Sequence, residues 1–80
     1  MNELLQHKYD TLASLYWKPC DFNELRERDF CKNLPEWYLH SIISRLEKDG
    51  LIVRQKNGII KALKRKAKQV LNRHDYEIDD

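Results

Sequence analysis

Five side chains in this sequence are of types that do nucleophilic or metal chemistry: the thiols Cys20 and Cys31 and the imidazoles His7, His40 and His74. Ten residues separate the cysteines, so there is no C-x-x-C pair, and no Cys/His spacing matches a zinc site. A Cys–His nucleophile pair has no local signature to favour it. The only glycines, Gly50 and Gly58, are too few for a glycine-rich phosphate loop. An enzyme is not expected, and neither is a cofactor or a metal. The residues that do form a pattern are cations. Residues 51 to 74 hold eight Lys or Arg (Arg54, Lys56, Lys61, Lys64, Arg65, Lys66, Lys68, Arg73) and no acid, whereas residues 1 to 50 hold seven bases and nine acids. The last six residues hold four acids and no base. A basic block of this kind creates a field that attracts phosphate, and the acidic tail opposes it; the bland alternative is a solvated basic helix face.

The elements that must hold these cations are legible around Asn33–Leu63. Leu39, Ile42, Ile43 and Leu46 fall at i, i+3, i+4 and i+7, one stripe of a helix over 34–49. Asn33 and Glu36 suggest a capping box with Pro35 in the first turn, and Gly50 supplies the left-handed residue that ends the helix. Leu51 to Arg54 favours an extended chain, and Asn57-Gly58 signals a hairpin with a two-residue type I′ turn. That turn pairs Lys56 with Ile59, Gln55 with Ile60, Arg54 with Lys61, Val53 with Ala62 and Ile52 with Leu63. It gathers Arg54, Lys61 and Lys56 on an outward cationic face, with Ile52 and Leu63 at its base, and turns Val53, Ala62 and Ile60 to the other. Ile60, Leu63, Ala67, Val70, Leu71 and His74 also fit one helical stripe, which would give an all-α domain. The hairpin is preferred because Asn57-Gly58 follows a β-branched run.

Upstream, Asn2 can cap a first helix carrying Leu5, Tyr9, Leu12 and Tyr16 on one stripe, with Leu4 and Leu15 beside it and Trp17 at the core rim, ending before Pro19. Asp21 and Glu24 form a second capping box for a short helix over 22–30, with Phe22, Leu25 and Phe30 inward. Cys31 to Asn33 then connects to the central helix, making an angular helix pair. A last helix spans Lys64 to His74, with Ala67, Val70, Leu71 and His74 inward, and must pack on the first helix or on a second subunit. Eighty residues make one domain, 1–74, followed by an acidic, disordered tail over 75–80. No apolar run is long enough to cross a bilayer and the amino terminus lacks a signal-peptide pattern, so a cytoplasmic protein with unpaired cysteines is expected.

Leu34, Leu39, Ile43 and Leu46, followed without a gap by Glu47, Lys48, Asp49, Gly50, Leu51, Ile52 and Arg54, resemble the winged helix-turn-helix family of DNA-binding proteins. The likeness is to small prokaryotic or phage transcription regulators of the MarR and PadR sort, and it covers about Asp21 to Leu71. It implies an α+β, mostly helical fold: a three-helix core, a two-stranded wing and a C-terminal helix. It further implies that the third helix enters the major groove and that the wing lies on the backbone or minor groove. The chain departs from the family pattern in lacking a glycine before Leu34 and in carrying Glu36 and Trp37 early in the recognition helix.

Opposite the apolar stripe, the helix over 34–49 presents Trp37, Ser41, Ser44 and Lys48, flanked by His40 and Arg45. Arg45 and Lys48 suit phosphates or a guanine edge, the serines permit close approach, His40 can donate, and Trp37 can stack or press on a thymine methyl. Glu36 is more naturally a cap than a cytosine acceptor. Arg54, Lys56 and Lys61 would grip phosphate from the wing, and Lys64, Arg65 and Lys68 extend the basic surface. The expected partner is double-stranded DNA bound by a homodimer. The rival is a winged helix used for protein contact through Trp37, Glu36 and the aromatic first helix. Binding of RNA or single strands by Trp37 and the wing ranks third.

Overall fold

The computed structural model describes residues 3–74 and Tyr76. Four helices and a two-stranded antiparallel hairpin follow in the order α1 (Glu3–Trp17), α2 (Phe22–Arg26), α3 (Glu36–Lys48), β1 (Ile52–Arg54), β2 (Ile60–Ala62) and α4 (Lys64–Arg73). The Asn2 cap expected for α1 lies outside the described residues.

Burial on α1 starts at Thr11 and runs through Leu12, Leu15 and Tyr16, while Leu4 and Leu5 in its first turn are 44% and 42% exposed. The expected inward stripe therefore holds at Tyr9, which packs against the core, and at Leu12 and Tyr16, and fails at Leu5. Trp17 is 59% exposed and is not core rim: Tyr16, one residue or about 100° earlier round the helix, takes the interior position, and Trp17 rests edge-on against it. The last turn of α1 contains no base of its own. Cations from elsewhere serve the carbonyls there. Arg28 donates to the Ser14 carbonyl at 3.1 Å, to the Lys18 carbonyl at 2.8 Å and to the Ser14 hydroxyl, and Lys64 donates from Nζ to the Tyr16 carbonyl while lying over the Tyr16 ring. Both place positive charge at the negative end of the helix dipole.

Between α1 and α2, Cys20 forms a one-residue bridge with Ile60 of β2, its amide donating at 3.2 Å and its carbonyl accepting at 2.8 Å. Nothing in the sequence reading anticipated this bridge. Asp21 then caps α2 as expected, its carboxylate accepting from the Glu24 amide at 2.8 Å. The helix stops at Arg26 and does not run to Phe30, because the chain tightens to i→i+3 bonds (Glu27 to Glu24, Arg28 to Leu25). The following turns bring Arg28 under α1 and bury Cys31, so the link to α3 runs from Glu27 and is much longer than the expected Cys31–Asn33. Leu25 is fully buried, with Phe22 and Phe30 packed against the core.

The N-cap of α3 is Pro35, not Asn33, and no side chain caps it. The fixed φ of Pro35, at −60° with ψ 147°, already provides the extended entry, and its carbonyl accepts from Tyr38 and Leu39. Glu36 is left to pair with Arg26 and His40. At the other end, Gly50 (φ +76°) completes a Schellman turn in which Leu51 donates to Leu46 and Gly50 to Glu47. Leu39, Ile42, Ile43 and Leu46 are all buried, as the spacing predicts.

The hairpin forms, but its register is one residue away from the expected one: Ile52 faces Ala62, Val53 faces Lys61 and Arg54 faces Ile60. The physical reason is the loop. The Gly58 amide donates to Gln55, the Gln55 amide donates to Ile59, and the Asn57 side chain accepts from the Ile59 amide. Lys56, Asn57 and Gly58 thus form a three-residue connection with Gly58 alone at φ +89°, in place of a two-residue type I′ turn. A one-residue shift exchanges the faces of one strand relative to the other. Ile52, Ala62 and Ile60 are buried and Arg54 shares their face, whereas Val53 and Lys61 point out together. The single cationic face of Arg54, Lys61 and Lys56 does not form.

Helix α4 begins with Lys64, Arg65 and Lys66, no acid and no side-chain cap, a poor start for an isolated helix. Packing holds it: Ala67 and Leu71 are fully buried and the helix lies against α1. His74 stacks on Tyr9 at 4.1 Å. Of the expected acidic tail only Tyr76 is described, its amide bonded to the Leu71 carbonyl and its hydroxyl to Asp10 on α1; the rest of that segment lies outside the described residues.

Candidate nucleic-acid interface

Because Leu39, Ile42, Ile43 and Leu46 lock one side of α3 into the core, its opposite side faces solvent along the whole helix. Trp37, His40, Ser41, Ser44, Arg45 and Lys48 are all exposed, Trp37 to 69%. Ser41 returns its hydroxyl to the Trp37 carbonyl at 3.0 Å, which leaves the surface of that turn small and close to the backbone. Arg45 and Lys48 have no acidic partner among the described residues.

One flank of this face carries the acids of α3, each already answered by a cation. Glu36 sits 3.9 Å from Arg26 and 3.6 Å from His40, whose ring stacks on Phe22 of α2 at 3.9 Å. Glu47 lies 3.6 Å from Nε of Arg54. The other flank meets α1, where Lys8 bridges to Asp49 at 2.7 Å and His7 bonds Tyr38 at 2.9 Å. A shallow notch of about 220 Å³ opens there, with Leu4 and Ile42 as its apolar lining and Lys8, Ser41 and Arg45 around them.

The remaining candidate cations do not gather on one surface. Lys56 is exposed in the hairpin loop, Lys61 points outward with Val53, and Arg54 is turned toward α3. Lys64 is committed to the end of α1. Arg65 is exposed on α4 and Lys68 half-buried. Lys66, which the sequence reading left out of the site, reaches α3: its Nζ is 3.6 Å from where a Cβ on Gly50 would stand.

Comparison with protein-family models, with curated proteins and with solved structures finds no match.

Cys20 and Cys31 are free, buried thiols in the core. Burial pushes both thiols up, Cys31 to about 11, with Arg28 opposing the shift in each case. Such thiols are poor nucleophiles at neutral pH. Burial, and then the bond to the Asp10 carboxylate, also raise the Tyr76 hydroxyl. No helix among the described residues is long and apolar enough to cross a membrane.

Proposed function

We propose that this chain is a winged-helix DNA-binding protein and transcriptional regulator that enters the major groove with α3. The observation that carries the reading is the outer face of α3: Trp37, Ser41, Ser44, Arg45 and Lys48 are exposed together, and its two cations lack acidic partners among the described residues. In this reading Arg45 and Lys48 meet phosphates or a guanine edge, Ser41 and Ser44 let the helix approach the bases, His40 donates from the rim, and Trp37 presses on a thymine methyl. Lys56 and Lys61 contact the backbone from the hairpin, the wing of this reading. A homodimer setting two such helices one DNA turn apart gives the site length that regulation needs, and the cytoplasm, on the nucleoid, is the place of action.

Titration of the protein against random duplex DNA over a range of salt tests this. Binding at low salt that weakens steeply as salt rises is expected, and Arg45→Glu/Lys48→Glu should weaken it sharply. No binding at low salt rejects the reading. The rival is a protein-docking role, favoured by the exposure of Trp37 on the same helix as the apolar-lined notch formed with Leu4 and Ile42. An absence of duplex binding at low salt would turn the balance toward it.

A further inference from the structure

Helix α1 lies between α3 and α4, and the residues that meet each neighbour show how far apart the two are. His7 bonds Tyr38 of α3, and Lys8 bridges to Asp49 at the end of α3. Tyr9, two residues beyond His7 and so about 200° further round α1, stacks on His74 at the end of α4. Both neighbours turn their apolar stripes inward, Leu39, Ile42, Ile43 and Leu46 from one and Ala67 and Leu71 from the other. Their outer faces are therefore distinct surfaces, which approach each other at the Gly50 end of α3, where Lys66 Nζ lies 3.6 Å from the position a Cβ on that glycine would take.

The outer face of α4 is cationic and polar. Arg65, Lys66 and Arg73 are exposed with Gln69 between them, and none of the three cations has an acidic partner among the described residues. Lys66 and Arg73, seven residues apart, lie in one column, and Arg65 to Arg73 spans about 12 Å at the helical rise. None of the exposed large apolar side chains belongs to α4. A protein partner would find no aromatic or aliphatic anchor here. A run of phosphates needs only spaced charge.

We infer that α4 is a second duplex-binding surface, distinct from the outer face of α3, through which one molecule joins two DNA segments. The inference goes beyond the proposed reading of a single duplex by α3 and rests on it for the first contact.

Energy transfer between two short duplexes, one carrying a donor dye and the other an acceptor, tests this when the protein is limiting. Single-duplex binding is followed by anisotropy in the same solutions. Wild type should give a transfer signal at low salt. Arg65→Gln/Lys66→Gln/Arg73→Gln, all surface changes whose folding is checked by thermal melting, should lose that signal while α3 still binds one duplex. A transfer signal unchanged in the triple variant overturns the inference, since a dimer of α3 surfaces would then be doing the joining. Wild-type binding of one duplex with no transfer overturns it too and leaves the α3 reading standing. No duplex binding by wild type removes both.

Discussion

Arg54 of β1 faces Ile60 across the hairpin and points its Nε at Oε1 of Glu47 on α3, 3.6 Å away. Both side chains are nearly half exposed, so the pair contributes less than about 1 kcal/mol to folding; its effect is to hold a cation away from solvent-side phosphates. Glu47→Gln should leave the melting temperature nearly unchanged, tighten duplex binding, and steepen the slope of log K against log salt by about 0.9, one phosphate contact. Anisotropy titrations over a salt series read this directly. An unaltered slope would mean that the freed Arg54 does not reach DNA.

Arg28 is the chief support of the turn from α1 into α2, with guanidinium bonds to the carbonyls of Ser14 and Lys18 and to the Ser14 hydroxyl. Arg28→Ala takes this donor from the Lys18 carbonyl and the Ser14 hydroxyl, while the Ser14 carbonyl keeps the Lys18 amide at 3.0 Å, and should cost about 1–3 kcal/mol in urea unfolding. Arg28→Lys should recover only a minor part, because one ammonium cannot reproduce the planar fork.

Stability should fall at alkaline pH. Burial holds the Cys31 thiol up at about 11 against an ordinary 9.0, so in that window the unfolded chain binds fewer protons than the folded one. The contribution is complete below pH 9.0 and is lost as pH rises through about 11, a change of about 2–3 kcal/mol. Cys20 shifts in the same direction and adds to it. Urea midpoints measured from about pH 8 to about pH 11 should decline, and Cys31→Ala, whatever its absolute stability, should show a shallower decline.

Gly50 sits at φ +76° with its nearest potential Cβ neighbour, Lys66 Nζ, at ordinary contact distance. The cost of a side chain there is conformational and not steric. Gly50→Ala should destabilise by about 1–2 kcal/mol, and Gly50→Asn by less, because asparagine tolerates the left-handed region. Equilibrium unfolding of the two variants separates them.

What could be read from the sequence follows from local chemistry. The apolar stripe of α3, the Gly50 stop, the Asp21 cap and the existence of the hairpin each depend on a few neighbouring residues, and each is present. What could not be read depends on distant partners. The hairpin register turned on whether Asn57 joined Gly58 at positive φ or used its side chain to hold Ile59, and the second arrangement reassigned Arg54 to the inner face. Lys64 looked like part of a basic surface until the end of α1, with no base of its own, claimed it. Trp17 and Tyr16 are adjacent aromatics of similar hydrophobic weight, and only the packing around α1 decides which is inside. For the site, helical periodicity alone located the exposed face of α3, whereas the reach of Lys66 to Gly50 needed the tertiary fold.

The reciprocal bonds between Cys20 and Ile60 join amides forty residues apart in the chain. Neither amide can take up deuterium until the hairpin and the α1–α2 segment part from each other. Exchange at these two sites should therefore follow one shared opening event, slower than the loop around Gly58, and should mark the cooperative unit to which the hairpin belongs.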